Sequence, residues 1–486
     1  MQESKKILNT SVNLSRSGRG FDTPLILVFS VINGLVLMNA CLHDPRVGYD
    51  ADLHLAYIQA LSKLRLVAPG DSGEFFSPPL PYALPALLIL LTGVKVFWAA
   101  KFAQFLNVCL SVGLTFYLIK TCRIISSRSS LAVGSLIFLG TLPVYYKTFA
   151  FVRGEPYVAF FAVVIMYYTL LIFIGQHFTT INATILGVAM GLCALSRQWG
   201  MLILPAVFLF MALQCIRYPQ WRRPMTGTLC LCLLLISLTS GWFYAALKSS
   251  YGSARTFNRS RAAYFSFSNQ PIEFYVRLSP KLLFTNPVRP NFPNQFLPIF
   301  YSEVWGDYWG YFTLYGIDTR MRTFVNGYYL DQVLSTGSRP HWLETNYDTI
   351  GAYLGRVNLV SIFPSVLGLV ALVFGSIGLT RRSSHELFTT NQKEITGFLL
   401  LAIATSMGGY FWFLIMYPNI GKGDTIKATY MLQVFPFLAI LVGNLLEHFN
   451  KKKHFLYLFV LGCLILSFAH NIFAMVTHYS LHRLLQ

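Results

Sequence analysis

Apolar residues run in long, nearly unbroken stretches along this chain, separated by short polar or basic breaks. That pattern fits neither the two-residue alternation of a half-buried strand nor the narrow stripe of a water-facing helix. A helix needs about 20 mostly apolar residues to cross a hydrocarbon layer about 30 Å thick. Spans are expected near 24–42, 96–119, 131–146, 156–175, 181–195, 199–216, 225–247, 357–379, 395–417, 428–446 and 455–476, eleven in all. The stretch PPLPYALPALLILLTG (78–93) has four prolines in its first eight positions. Its start cannot hold a regular helix and the remainder is short, so it is expected to form a re-entrant or surface-lying hairpin. The predicted fold class is an all-α polytopic membrane protein. Its parts are a cytoplasmic leader (1–23), a membrane domain (24–247) with a large first outer loop (43–95), an outer loop or lid (248–356), and C-terminal membrane helices (357–486).

Composition agrees: with 55% hydrophobic and 12% charged residues among 486, the chain has more apolar surface than one water-soluble core can hide. A net charge of +19 could suggest nucleic acid, but the basic residues cluster between apolar runs, where the positive-inside bias accounts for them. Nucleic acid is therefore not an expected partner, whereas membrane lipids are. With 78–93 not crossing, the leader and the clusters Lys120/Arg123/Arg128, Arg217/Arg222/Arg223, Arg381/Arg382/Lys393 and Lys451/Lys452/Lys453 all face the cytoplasm. Both large loops and the turns at Arg153, Arg197 and Lys427 then lie outside. The eight cysteines sit in or beside apolar runs, so no disulfide framework or zinc cluster is visible. The first apolar run follows a polar, basic leader and reads as a retained span. A bacterial plasma membrane is the expected location, with the endoplasmic reticulum as the alternative. No internal repeat is evident, which weakens an inverted-repeat transporter reading.

Chemistry concentrates in GYDADLHLAYIQAL (48–61). Asp50 is expected to cap a helix over 51–66, its side chain accepting from free amides of the first turn. Asp50, His54, Tyr57 and Leu61 would then share a stripe, with Asp52 roughly 200° away, so only one of the acids is expected to face a cleft squarely. Arg153, Arg197, Lys427, Arg255, Arg259 and Arg261 all fall on the side of Asp50, and arginine forks suit phosphate oxygens. Snorkelling toward lipid headgroups is the plain alternative for any one of them. Arg197, between two apolar runs, is the strongest candidate because a boundary charge is costly. In FYSEVWGDYWGYF (300–312), Trp305, Tyr308, Trp309 and Tyr311 offer a stacking surface, with Glu303 and Asp307 as hydrogen-bond acceptors; the alternative is an aromatic belt. Gly306 and Gly310 favour a tight turn there.

An acid at the foot of the first span, a histidine four residues on, and a Pro-Pro-Leu-x-Tyr hairpin resemble the GT-C membrane glycosyltransferases. The likeness is to the polyprenyl- or dolichyl-phosphate-sugar-dependent group of protein mannosyltransferases and aminoarabinose transferases. That group commonly has two adjacent acids at this point. Here the order is Asp50-Ala51-Asp52-Leu53-His54, which leaves the base open between Asp50 and Asp52. RGEPYVAFFAVV (153–164) with Glu155, ALSRQWGMLILP (194–205) with Arg197, and KATYMLQVFPFLAILVGNLLE (427–447) with Lys427 and Tyr430 are similar to further stretches of the family.

The resemblance implies an inverting single displacement from a polyprenyl-phosphate-linked sugar to a lipid, glycan or protein hydroxyl on the non-cytoplasmic face. Asp50, or Asp52, would be the general base. His54, Tyr57, Arg153, Glu155, Arg197, Arg255, Arg259, Trp305, Asp307, Trp309, Lys427 and Tyr430 form the expected substrate-binding set. No cofactor is expected: a divalent cation is optional, since Asp50, Asp52, Glu155 and Asp307 offer hard oxygens but no binding-loop spacing. A lipid-linked sugar flippase or transporter, or a non-catalytic subunit on the same scaffold, are the alternatives.

Overall fold

The computed structural model describes residues 22–380 and 389–480. The leader through residue 21, and Arg381 and Arg382 of the third basic cluster, lie outside the described residues. Among the described residues, eight helices are long and apolar enough to cross a membrane. They become nine if Ser129–Gly140 and Pro143–Ala150, which meet at 68°, count as one broken span. The bend has a local cause: Pro143 pushes Leu142 into extended backbone (φ −91°, ψ 104°), which no helix continues.

Length and composition do not reach the eleven expected spans. The run expected at 181–195 is the helix Thr180–Ser196, only 17 residues long. The run expected at 428–446 is not helical throughout: a tight 3₁₀ turn occupies Ala428–Met431, and Val434–Lys452 ends in polar residues that include Glu447, Lys451 and Lys452. The proline-rich stretch forms a 13-residue helix, Leu80–Thr92, too short to cross. It packs on the helix Ala51–Leu61, where Tyr57 donates to the Ser77 carbonyl at 2.8 Å and Tyr82 meets His54 Nδ1 at 2.9 Å.

Lys101 sets the direction in which the chain leaves the first span. Its ammonium donates to the carbonyls of Ala40, Cys41 and His43 at 2.9, 3.1 and 2.7 Å, satisfying acceptors that a helix end leaves free. Residues 252–346 hold short helices and a three-stranded antiparallel sheet, with Gly316–Asp318 between Thr323–Val325 and Leu343–Thr345. This region also enters the bundle: the helix Phe296–Trp305 buries Trp305 in the main core.

Candidate functional site

A cavity of about 380 Å³ opens where the turn 48–52, the segment 252–346 and the loop before Ala428 converge. Its lining includes Asp50 and Asp52, Arg259 and Arg289, and Trp309, Tyr311 and Tyr328, with Lys427 beside Asp50.

Asp50 has left-handed backbone (φ 56°), a conformation that a short polar side chain tolerates. It precedes the helix Ala51–Leu61, but its side chain makes no capping bond, and the helix stops at Leu61 rather than 66. Because Asp50 lies off the helical progression, extrapolating the helix to it fails, and both acids line the cavity. The Asp50 carboxylate accepts from Lys427 Nζ at 3.1 Å, with 42% of the Asp50 side chain and 10% of the Lys427 side chain exposed. Lys427 holds the Asp50 carboxyl well below the usual carboxylate range, outweighing the upward push of burial. Burial lowers the Lys427 ammonium, but Asp50 together with Tyr430 and Tyr311 more than reverses this and lifts it above the ordinary lysine range. The lysine backbone is fixed by Tyr410, whose hydroxyl accepts the Lys427 N–H at 2.9 Å.

Behind the cavity lies a buried ionic ladder. Arg153 forks onto Glu155 at 2.6 and 2.9 Å, while Arg197 reaches Glu74 at 2.6 Å, Glu155 at 3.4 Å, and Ser77. All four charged side chains are buried. The ladder depends on two turns touching, which Gly154 permits: a Cβ there would lie 2.3 Å from the Ser196 carbonyl oxygen. Gly154→Ala is expected to destabilise the fold by about 1–3 kcal/mol, read as a lower melting temperature in detergent, because the obstructing atom is backbone.

His54 sits at the edge of this ladder, and burial pushes its imidazole down to about 4, as burial also does for His43. Both are thus neutral when folded and would titrate near 6.5 when unfolded. Between those values the unfolded chain binds protons that the folded chain refuses, so stability is full above about 6.5 and falls as the pH drops toward 4. His54→Gln is expected to flatten the dependence of stability on pH in this window by up to about 1.4 kcal/mol per pH unit, read as a smaller fall in melting temperature as the pH drops.

A second buried group anchors Tyr49, the neighbour of Asp50. Its hydroxyl donates to Glu303, which also pairs with Lys147 at 2.9 Å and accepts from the Trp309 N–H at 3.1 Å. Asp307 accepts four successive backbone N–H groups, from Tyr311 to Leu314, and so closes the turn that presents Trp309 and Tyr311 to the cavity. Gly310 takes positive φ (70°) in that turn.

Of the residues singled out from sequence, Asp50, Asp52, Arg259, Trp309, Tyr311 and Lys427 line the cavity. Tyr430 lies just behind, its ring 5.6 Å from the Arg153 guanidinium. Arg153, Glu155 and Arg197 are placed in the ladder rather than at the cavity surface, and His54 and Tyr57 pack against Leu80–Thr92. Trp305 and Asp307 are buried for structural reasons, and Arg255 is exposed, 5.8 Å from the Trp412 ring. Arg289, Tyr328 and Asp424 line the cavity and were not anticipated. Arg289 and Asp424 come from loops and Tyr328 from the first turn of the short helix Gly327–Ser335, with no periodicity or motif to mark them. Glu74, which lies in EFFSPPLPY beside the prolines, was likewise passed over as a partner for Arg197. Among the described residues, no three His, Cys, Asp or Glu side chains are grouped so as to hold a metal ion.

These features define an all-α polytopic membrane protein with a cavity of acids, cations and aromatics formed by its loops. No family model and no curated protein matches the chain. Among solved structures the chain is similar to ArnT and to the archaeal oligosaccharyltransferase AglB. ArnT from Cupriavidus metallidurans is 13% identical in both its forms, with a TM-score of 0.38; the alignment covers 86% of this chain and 76% of that one in the apo state. Bound to undecaprenyl phosphate, it is covered to 78%, by 88% of this chain. The oligosaccharyltransferase AglB from Archaeoglobus fulgidus, in complex with an inhibitory peptide and a dolichol-phosphate, is 11% identical with a TM-score of 0.48. That alignment takes in 93% of this chain, which spans only 56% of the archaeal enzyme.

Proposed function

We propose that this protein is a glycosyltransferase that moves a sugar from a polyprenyl-phosphate donor to an acceptor hydroxyl at the non-cytoplasmic face of a bacterial plasma membrane. The observation that carries the reading is the Asp50–Lys427 pair at the cavity wall, a carboxylate open to the cavity beside an ammonium. The acceptor hydroxyl gives its proton to Asp50 as its oxygen bonds to the anomeric carbon from the face opposite the phosphate. The bond to the phosphate oxygen breaks with its electron pair, and the configuration inverts. Lys427 is the cation beside Asp50 for the charge that develops on the phosphate, and Arg259 and Arg289, which also line the cavity, are paired with Asp424 at 3.6 Å and Asp331 at 2.7 Å. Tyr328, 47% exposed at the cavity, offers aromatic surface to a sugar ring, while Trp309 lies beneath the Arg289 guanidinium at 4.5 Å.

A groove suited to the lipid chain supports the reading. It has a volume of about 520 Å³ and is lined by Leu61, Leu64, Leu66, Leu87, Leu90 and Trp242. It begins at the end of Ala51–Leu61 remote from Asp50, about 15 Å along the helix axis.

The test is mass spectrometry of lipid extracts from cells with and without the protein. A polyprenyl-phosphate sugar should accumulate when the protein is removed, and the purified protein in nanodiscs should consume that lipid when an acceptor extract is added. Unchanged lipid-linked sugars, with no consumption in vitro, would end the proposal.

A further inference from the structure

We propose that Lys427 is shared between two anions: it holds Asp50 while the cavity is empty and turns to the donor phosphate on binding, so that Asp50 becomes a working base only once the donor is in place. This rests on the glycosyltransferase reading and adds the regulation of its base.

The geometry of the lysine suits an exchange. Its backbone is pinned by Tyr410, whereas its ammonium ends a flexible four-carbon stem that can pivot from that fixed point. Among the described residues, Asp50 Oδ2 is its one oxygen partner, at 3.1 Å. The rings of Tyr49 and Tyr430 lie 4.8 and 5.8 Å from Nζ. An ammonium has three donors, so two remain for an incoming anion. Arg259 and Arg289 also line the cavity, paired with Asp424 at 3.6 Å and Asp331 at 2.7 Å, so that among the described residues Lys427 is the lining cation whose only carboxylate partner is the base itself.

The groups around Asp50 single out Lys427 as the one whose movement matters. Arg153 also bears on Asp50, but it is forked onto Glu155, and its charge is committed within the ladder. His54 is buried and neutral, Asp52 is exposed where it lines the cavity, and Tyr311 is a neighbouring neutral hydroxyl. A carboxylate clamped by an ammonium is a poor proton acceptor, whereas one that has lost its clamp and gained a nearby phosphate takes a proton readily. The order of binding follows: donor before acceptor. During transfer the acceptor O–H proton passes to Asp50, the new C–O bond forms, and the C–O bond to phosphate breaks with its pair on the phosphate oxygen. Asp50 then releases the proton to solvent through the cavity as the lipid phosphate leaves and Lys427 returns.

The experiment follows the infrared carboxyl band of Asp50, assigned by its absence in Asp50→Asn, as a function of pH in nanodiscs with and without undecaprenyl phosphate. In the wild type the lipid should raise the protonation midpoint of Asp50 by about one pH unit or more. In Lys427→Gln the midpoint should start higher and rise much less when the lipid binds. If that variant does not fold, Lys427→Arg serves, because a guanidinium can bridge both anions and so should also shrink the shift. A bound lipid that leaves the wild-type midpoint unmoved overturns the exchange while sparing the proposed function. An equal shift in the lysine variant does the same, since the phosphate charge alone would then account for it. Failure of the wild type to bind the lipid removes the donor reading and the exchange with it.

Discussion

Asp50→Asn is expected to lower sugar transfer by about 10²–10⁴-fold, the usual contribution of a positioned general base. The substitution keeps the shape of the side chain and the tolerance of asparagine for left-handed backbone, which residue 50 requires at φ 56°. No capping bond is lost, because the carboxylate makes none to the helix. The freed Lys427 remains beside an open cavity, so the protein should insert and bind lipid phosphate as well as the wild type or better. Asp52→Asn, at an exposed position on the same cavity, should keep most of the activity. Rates measured on purified protein in nanodiscs decide the matter. The reverse pattern would assign the base to Asp52, and full activity in both variants would remove the glycosyltransferase mechanism.

The second large effect is on stability. Arg197→Ala leaves Glu74 and Glu155 buried without the cation that joins them, each now only 1–3% exposed at the side chain, and should destabilise the fold by about 3–5 kcal/mol. Burial opposes the Glu74 charge, and Arg197 is the largest influence that holds its carboxyl below the usual range. The loss should appear as a marked fall in melting temperature, partly recovered in the double variant Arg197→Ala/Glu74→Gln, since the two positions act as one pair. A wild-type melting temperature combined with weaker lipid-phosphate binding would instead give Arg197 a direct role on the donor.

Arg197 shows how far a sequence can be read. Its placement between two apolar runs announced a charge that needed a partner, and the structure supplies two. Its assignment to phosphate binding assumed that the partner would be the ligand. The partner is Glu74, more than a hundred positions away, and nothing in local spacing could reveal that contact. Tyr49 is the opposite case. No motif marked it, yet it is fully buried and links the turn of Asp50 to Glu303 and Lys147.

What the chain alone determined was what depends on neighbours in sequence. The long apolar runs dictated membrane helices, and the apolar stretch of 80–92 was too short to add a crossing, because hydration and backbone geometry act locally. The tertiary structure alone decided which charges face the cavity and which neutralise one another behind it. A buried cation must find an anion wherever the fold brings one close, and among six candidate cations only Lys427 and Arg259 were brought to the cavity while Arg153 and Arg197 were absorbed by Glu155 and Glu74.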